Sequence, residues 1–350
     1  MVASLYIFNS KSIAFMLKSY INNLKGNPFK NFLMKLFVLF ITVVLLDFSI
    51  GSLLKIFYFR QQSGLLFRTT YSIEKTTADI LIFGSSTATH NYHPKLFENR
   101  LNMSVYNVGS DGVPIFYHYA VLKAVLKRYT PKIVICDFDV HEFSKEQESY
   151  DRLSCLLPYY HSHPEIRSIV DLKSPYEKIK LLSKIYPYNS AIFTISVGNA
   201  EFNKKRRGDI NGYVPLTNVR TEPINDGSTF INYPLDSNKI KIYECFIKDC
   251  INSNIELYVV CSPLFIKPNY ISNSVVAGKK IAAKYNVRFF DFSKDSTILN
   301  SPSMFADIGH LNNIGAEVFS NRVMDSMATA LKNLSTIKTP FKKPGHGLTP

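Results

Sequence analysis

Hydrophobic and polar residues follow two patterns along the chain from about residue 78 onward. Short apolar runs predict β-strands at residues 79–83, 104–108, 132–138, 256–261 and 287–292. Segments whose apolar residues recur every three or four positions predict helices at residues 116–129, 237–252, 272–285 and 312–333. Alternation of strands and helices predicts an α/β domain in which helices cover both faces of a parallel sheet, a three-layer α/β/α sandwich over residues 78–334.

The alternation lapses between residues 144 and 234, where prolines interrupt runs rich in Tyr, Lys and Ile. We interpret this stretch as a mostly helical insertion, of the kind that forms a lid or a substrate surface over an α/β site. Residues 60–77 read as a polar linker, and residues 335–350, rich in Pro and Gly, as a disordered tail.

The apolar segment at residues 32–59 is long enough to cross a bilayer. Asp47 favours the alternative of a buried core helix, since a carboxylate within a bilayer is costly unless it is paired or near an interface. No earlier part of the chain is able to cover such a helix on all sides, and no cleavage site of small residues follows it. We therefore predict an uncleaved signal anchor, with residues 1–31 cytoplasmic and the main domain outside the cytoplasmic membrane, because lysines are slightly in excess before the span.

Composition narrows the range of partners. The net charge of +14 is high, but the basic residues are scattered, with one marked cluster at Lys204–Arg207. No recognition motif accompanies this charge, so we expect no nucleic-acid partner. The five cysteines form no metal-type spacing, and we expect neither a metal nor another cofactor.

Two distant segments offer the groups of a nucleophilic site. Ser85 and Ser86 follow the first predicted strand, at the strand end where open α/β sheets bind their ligands. Asp307 and His310 are three residues apart before the last predicted helix, which allows the carboxylate to orient the imidazole as a base for a serine. For Ser86 the alternative is a helix cap, since serines are favoured at helix N-termini.

Two further strand ends carry polar residues. Asn107 and Gly109 form either an ordinary turn or, through the Gly109 N–H, part of an oxyanion hole. Asp137 and Asp139 are expected to cap the third strand by binding loop amides or a substrate hydroxyl. A rival hypothesis makes a metal site of five side chains: His90, His93, Asp137, Asp139 and His141.

These segments carry a resemblance to a known superfamily. Ile80 to Ser86 (ILIFGSS), then Asn107-Val-Gly109, then Asp307-x-x-His310-Leu-Asn resemble the first, second and fifth sequence blocks of the SGNH (GDSL-like) hydrolases. The resemblance covers about residues 79–331 apart from the insertion. It implies a flavodoxin-like α/β/α fold with Ser86 as nucleophile, His310 as base, Asp307 as its orienting partner and Gly109 as an oxyanion donor.

The membrane-anchored proteins of this type imply an esterase or O-acyl(acetyl)transferase acting on a cell-envelope glycan, with a membrane protein as acyl donor. Two departures stand against activity. Ser85 replaces the usual Asp of the first block, and Asp137 and Asp139 stand where an oxyanion-donating Asn is usual. Either the oxyanion hole uses the Gly109 and Ser86 amides with another donor, or the protein is a non-catalytic glycan-binding or scaffold protein.

Overall fold

The computed structural model describes Ser19 and residues 27–200, 209–221, 233–266 and 271–337, with side chains described as far as residue 329. Most of the predicted cytoplasmic N-terminus, the basic cluster beginning at Lys204 and residues 338–350 of the predicted tail lie outside the described residues. Residues 335–337, assigned to the tail from the sequence, belong instead to the last helix.

The five predicted strands are confirmed, each within two residues of its expected ends. They are β1 (Ile80–Phe83), β2 (Val105–Asn107), β3 (Ile133–Asp137), β4 (Glu256–Cys261) and β5 (Arg288–Asp291). All neighbours are parallel, in the order β2-β1-β3-β4-β5. This is the flavodoxin-like order, in which the chain reverses direction across the sheet between β1 and β3 and leaves a crevice at the carboxyl ends of these strands.

Helices cover both faces of the sheet, as the alternating pattern predicts. Before the insertion they are α1 (Pro28–Phe59), α2 (Gly64–Glu74), α3 (Ser86–Asn91), α4 (Pro94–Leu101) and α5 (Ile115–Leu126). Strand residues alternate between two apolar clusters: Leu81, Val134 and Val259 pack with α5, whereas Ile82, Ile135 and Val260 pack with the last helix. This alternation follows from the two-residue period of a strand and confirms the three-layer α/β/α architecture.

Residues 209–221 of the insertion are loop, with a bridge between Ile210 and Tyr213, whereas its described part up to residue 200 consists mostly of short helical pieces. They are α6 (Gln147–Asp151), α7 (Arg167–Val170), α8 (Glu177–Lys180) and α9 (Ile192–Asn199), joined by 3₁₀ turns such as Arg152–Tyr159 and Tyr186–Ala191. After it come α10 (Ser237–Asn252), α11 (Asn273–Lys284), α12 (Ser296–Leu299) and α13 (Asn313–Ile337).

Residues 60–77 and the end of helix α1 both pack against the folded domain. Residues 60–77, read as a polar linker, contain α2, which buries Leu66, Arg68 and Ile73 against the domain. Helix α1 is long and apolar enough to cross a membrane, and 6% of its most apolar window is buried. Its last turns nevertheless contact the folded domain, since Tyr58 is buried with its hydroxyl 3.3 Å from that of Tyr159.

Candidate active site

The turn from β1 into α3 brings two serines to the carboxyl edge of the sheet. Gly84 has φ +149°, and a Cβ there would lie 2.7 Å from Cβ of both Ala88 and Asp137, so only glycine fits. Ser86 is the first residue of α3, and Ser85 precedes it without making a side-chain capping bond. The cap position of α3 is therefore occupied by Ser85, and Ser86 lies one residue inside the helix.

A chain of hydrogen bonds joins the two distant segments singled out in the sequence. Oγ of Ser86 lies 2.7 Å from Nε2 of His310, and Nδ1 of His310 lies 2.9 Å from both carboxylate oxygens of Asp307. When Nδ1–H donates to the carboxylate, the Nε2 lone pair faces the serine hydroxyl and accepts its hydrogen bond. This is the geometry of a nucleophile, its base and the group that orients the base.

The environment of Asp307 keeps its carboxyl ionised. Burial acts to raise its pKa, but hydrogen bonds from His310 and the Gly309 amide outweigh burial and hold the pKa below its usual range. The side chains of Asp307 and His310 are 53% and 24% exposed, so the site is open to solvent on this side. A carboxylate that is ionised at this position is able to stabilise an imidazolium at His310.

The loop that carries His310 is fixed to the helix that carries Ser86. An antiparallel bridge between Phe305 and Leu311 closes the loop, and the Leu311 amide donates to Oδ1 of Asn91 at 2.9 Å. Asn91 is buried and is the last residue of α3. Asn91 was not predicted to be a site residue, because an Asn in a short helix gives no signal that it holds a loop 220 residues away.

Asn107 and Gly109 come to the same edge but hydrogen-bond to each other. Oδ1 of Asn107 accepts from the Gly109 amide at 2.9 Å, and Nδ2 donates to the Ala88 carbonyl at 2.6 Å. A Cβ on Gly109 would lie 2.9 Å from the Ala88 Cβ, so the glycine allows this loop to contact α3 closely. In this conformation the expected oxyanion donor, the Gly109 N–H, is already engaged.

Asp137 lies beneath the β1–α3 turn and is 1% exposed. Its carboxylate accepts hydrogen bonds from the hydroxyls of Thr87, Tyr92 and Ser262, the last two at 2.7 and 2.5 Å. Burial raises its pKa to about 6, although the three hydroxyls act in the opposite direction. Asp137 was expected to bind loop amides or a substrate hydroxyl; its partners in the structure are the three internal hydroxyls, one of them on Thr87, the neighbour of Ser86.

Asp139 and Ser85 line a polar cavity of about 190 Å³, together with His141, Glu142, Glu146 and Lys239. Oδ1 of Asp139 accepts the His141 amide at 2.7 Å. Burial raises the pKa of Glu142 to about 7, and the Lys239 ammonium partly offsets this effect. The cavity therefore presents several oxygen acceptors beside the serine pair.

The histidines of the rival metal hypothesis have separate partners. His90 binds the Val214 carbonyl through Nδ1 at 2.7 Å, and its ring packs edge-on against His310 with centroids 5.2 Å apart. The ring of His93 lies on Tyr213. Burial lowers the pKa of His90, which favours the neutral ring. Within the described part of the chain, no three His, Cys, Asp or Glu side chains converge on a metal position.

No protein-family model and no curated protein matches the chain. Among solved structures, the chain is similar to the psychrotrophic esterase EstA from Pseudoalteromonas sp., with 12% identity, a TM-score of 0.39, and coverage of 72% of this chain and 98% of that chain. It is also similar to the acetyl xylan esterase AlAXEase, with 14% identity, a TM-score of 0.37, and coverage of 71% and 98%. A likeness of this degree carries no conclusion about activity.

Proposed function

We propose that this protein is a membrane-anchored serine esterase or O-acyltransferase that acts on acylated carbohydrate of the cell envelope. The observation that carries the proposal is the hydrogen-bonded chain from Ser86 through His310 to Asp307, with links of 2.7 and 2.9 Å. Serine hydroxyls become competent nucleophiles when an oriented base removes their proton. The SGNH resemblance assigns the same three residues to catalysis.

The reaction proceeds in two proton-balanced steps. Oγ of Ser86 attacks the ester carbonyl while its proton passes to Nε2 of His310, and the alcohol leaves with that proton as the acyl-serine forms. Water or a sugar hydroxyl then attacks the acyl-serine and gives its proton to Nε2, and the proton returns to Oγ as the serine is released. Water as acceptor makes the protein an esterase, and a sugar hydroxyl makes it a transferase.

The N–H groups that would stabilise the oxyanion are the least preorganised part of the site. The Ser86 amide at the start of α3 has no hydrogen-bond partner among the described residues and is available to a tetrahedral intermediate. The Gly109 amide becomes a second donor only when it leaves Oδ1 of Asn107. Substrate binding therefore has to reorganise the Asn107–Gly109 turn if both donors are used.

The polar cavity beside Ser85 supports a carbohydrate acceptor. Its acidic residues, Asp139, Glu142 and Glu146, present carboxylate oxygens, which accept hydrogen bonds from sugar hydroxyls. Glycan binding there would bring a hydroxyl to the acyl-serine. An acylated partner at the membrane, such as an acyl-donor protein, supplies the other substrate in a transferase.

The exposed apolar surface of α1 supports the anchor. We propose that α1 spans the cytoplasmic membrane, with the N-terminus in the cytoplasm and the α/β domain outside. A reporter fused to the C-terminus is expected to be active only outside the cytoplasm. Activity of the reporter inside the cell would reverse the orientation.

The decisive experiment measures acetate release from an aryl acetate by the full chain and by two neighbouring alanine variants. Ser86→Ala is expected to reduce kcat by about 10⁴-fold or more, because the nucleophile is lost. Ser85→Ala, the matched control one residue away, is expected to keep activity within about tenfold, since Ser85 makes no capping bond. Adding O-acetylated and deacetylated envelope polysaccharide then separates hydrolysis from transfer. Equal activity of the parent and Ser86→Ala proteins would exclude the mechanism.

A non-catalytic glycan-binding or scaffold protein is the second candidate. The observation that favours it is the engaged Gly109 amide, together with an acidic residue, Asp137, at the strand end where an amide donor is usual. It predicts glycan binding without ester turnover, and binding that Ser86→Ala leaves unchanged.

A further inference from the structure

We propose that residues 176–184 of the insertion form a membrane foot that sits in the lipid–water interface beside α1 and binds anionic phospholipid headgroups. The foot comprises the exposed side chains of Tyr176, Ile179 and Leu182 and the lysines at 178, 180 and 184. This inference rests on the proposed membrane span of α1. It adds a second contact that holds the catalytic domain at a set height and orientation on the bilayer.

The first observation is how the foot meets the helix. Ser183 Oγ and the Lys184 amide donate to the Asp47 carboxylate at 2.5 and 2.7 Å, and the Ile185 amide follows at 3.3 Å. A Cβ on Gly51 would lie 2.3 Å from the carbonyl carbon of Lys184, so the two backbones touch one turn farther along the helix. Asp47, the residue that argued against a membrane helix, is thus satisfied by the domain.

The second observation is the length of helix before this contact. Residues 28–46 precede Asp47 without packing on the domain, and large side chains such as Phe37, Leu39 and Leu45 are exposed. At about 1.5 Å per residue, this stretch is about 28 Å long. Lys30 and Lys35 lie toward the N-terminal end of this stretch, where lysine side chains extend to the headgroups, and the charge-free run from Leu36 to Leu46 covers about 16 Å of the roughly 30 Å hydrocarbon core. Because an ionised carboxylate is costly within hydrocarbon, the proposal places Asp47, and with it the foot, toward the membrane surface.

The third observation is the character of the side chains that the foot presents. Tyr176, Ile179 and Leu182 are 64%, 66% and 78% exposed, although each is large and apolar or aromatic. Contacts on the inner side hold the backbone between these residues. Leu181 is buried, and Glu177 accepts hydrogen bonds from Lys180 at 2.9 Å and from Tyr186 at 2.7 Å. An ordered segment that turns apolar residues outward, next to a membrane helix, has the composition of an interfacial contact.

The charges of the foot suit an anionic lipid surface. The one carboxylate of the foot and one that precedes it are each engaged by a foot lysine: Glu177 is buried beside Lys180, and Asp171 lies 3.7 Å from Lys178. Lys184 is exposed, and the Lys178 side chain is 75% exposed. Lysines at this level attract anionic headgroups, while their alkyl stems lie along the apolar boundary.

A foot bound to the membrane also affects which substrates reach Ser86 and His310. A cavity of about 360 Å³ is lined by Phe193 and Val197 of α9 and by Asp111 and Val214, the partners of His90. Helix α9 is itself bound to the membrane helix, since Nδ2 of Asn199 donates to the Phe57 carbonyl at 2.9 Å. The cavity therefore lies between the anchor and the active site, where a substrate held at the membrane approaches.

The chain contains no Trp, so a single introduced Trp reports its own surroundings. We would place the full-length Leu182→Trp variant in vesicles of brominated phosphatidylcholine with a minor share of phosphatidylglycerol and measure quenching by the bromines. Leu39→Trp, in the middle of the proposed span, is the positive control. Val276→Trp, 55% exposed on α11, is the matched surface control. We expect Leu182→Trp to be quenched several-fold more strongly than Val276→Trp.

The outcomes separate the foot from the anchor. Quenching of Leu39→Trp without quenching of Leu182→Trp overturns the foot and leaves the membrane span standing. Absence of quenching in both overturns the span itself and the anchoring part of the proposed function. Equal quenching of Leu182→Trp and Val276→Trp indicates nonspecific adsorption and also overturns the foot. If Leu182→Trp fails to fold, as judged by circular dichroism, Ile179→Trp provides the same test.

The headgroup contact has its own test. In the Leu182→Trp background, Lys178→Gln with Lys184→Gln, or removal of phosphatidylglycerol from the vesicles, is expected to reduce quenching at least twofold. Lys280→Gln, a lysine on α11 away from the foot, is the control and is expected to leave quenching unchanged. Quenching that is insensitive to both the foot lysines and the anionic lipid overturns the headgroup assignment. Shielding of the Trp in lipid-free detergent that rises with protein concentration points instead to a second protein on this surface.

Discussion

Two carboxylate clusters at the ends of neighbouring strands use similar groups for different purposes. At the carboxyl end of β1, the Ser86 hydroxyl is linked to Asp307 only through the imidazole of His310, which lies 2.7 Å from Ser86. Beyond β3, Asp137 accepts hydroxyls directly, from Thr87, Tyr92 and Ser262. The first carboxylate is half-exposed with a lowered pKa, and the second is fully buried with a raised pKa.

The group that lies between a carboxylate and a hydroxyl decides what the carboxylate does. A titratable imidazole between carboxylate and hydroxyl allows a proton to move. Asp137 accepts hydrogen bonds directly from three hydroxyls, which link separate segments of the chain. These hydrogen bonds are needed because a buried acceptor without donors is costly. Asp137 thus supports the turn that carries Ser86, whereas in the proposed mechanism Asp307 supports the reaction.

The sharpest way to test this contrast is Asp307→Asn. An amide at this position does not stabilise the imidazolium and favours the wrong tautomer of His310, so kcat is expected to fall about 10³-fold or more. The free energy of unfolding is expected to change by less than about 1 kcal/mol, since the site is exposed. Steady-state kinetics and urea unfolding measure the two effects. A large loss of stability with little loss of turnover would assign Asp307 to structure instead.

Removing the buried carboxylate should give the opposite pattern. Asp137→Ala leaves three buried hydroxyls without their acceptor and is expected to lower the free energy of unfolding by about 3 kcal/mol or more. Asp139→Ala, two residues along the chain, is the control and is expected to cost about 1 kcal/mol or less. Urea unfolding compares them. An Asp137→Ala protein as stable as the parent would show that the hydroxyl contacts contribute nothing.

Glu142 adds a buried carboxyl whose effect depends on pH. Its pKa rises from 4.5 in the unfolded chain to about 7 in the folded state. The contribution of protonated Glu142 to the free energy of unfolding is therefore fully present below pH 4.5 and is lost as pH rises through about 7. Glu142→Gln cannot ionise. The free energy of unfolding of Glu142→Gln, relative to that of the parent, is therefore expected to rise by up to about 3 kcal/mol as pH increases across this range.

Glu146→Gln is the matched control for Glu142, because Glu146 lines the same cavity but is exposed. Comparison of the two variants separates the effect of burial from that of replacing a carboxylate at this cavity. Chemical unfolding at a series of pH values provides both curves. A flat curve for Glu142→Gln would mean that Glu142 is ionised in the folded protein throughout this range.

The smallest expected effect concerns His90, which packs against His310 with ring centroids 5.2 Å apart. His90→Ala removes this contact, worth about 1 kcal/mol, and allows the imidazole of His310 to move, so kcat is expected to fall about tenfold with KM nearly unchanged. His90→Phe keeps an aromatic ring and is expected to recover most of the activity. Equal losses in both variants would point instead to the hydrogen bond with Val214.

Much of the fold was predictable because strand and helix periodicities are local properties. The five strands, the parallel sheet and the helical character of the insertion follow from the spacing of apolar residues. Helix α2 was missed because Thr69, Thr70 and Ser72 give its second half little intrinsic helix propensity, and it is stabilised by contacts with the domain. The short helix α3 was missed as a helix, although its first residue, Ser86, was identified.

The candidate site was only partly predictable. The catalytic types of residue and their order along the chain were visible, but hydrogen-bond partners were not. Gly109 was expected to face an oxyanion, yet its amide is bound by Asn107. Asn91, which holds the His310 loop, gave no sequence signal, since a partner 220 residues away leaves no local pattern.

The sequence by itself determined the layers of the domain, an apolar helix of membrane length and the candidate groups Ser86, Asp307 and His310. Periodicity and strand-end position are enough for these, because they depend on neighbours along the chain. The tertiary structure alone decided which polar groups meet: Ser86 with His310, Asp137 with three hydroxyls, and Asp47 with residues 183–185. Such pairings depend on distance and direction between remote segments, and hydrogen bonds are sensitive to both.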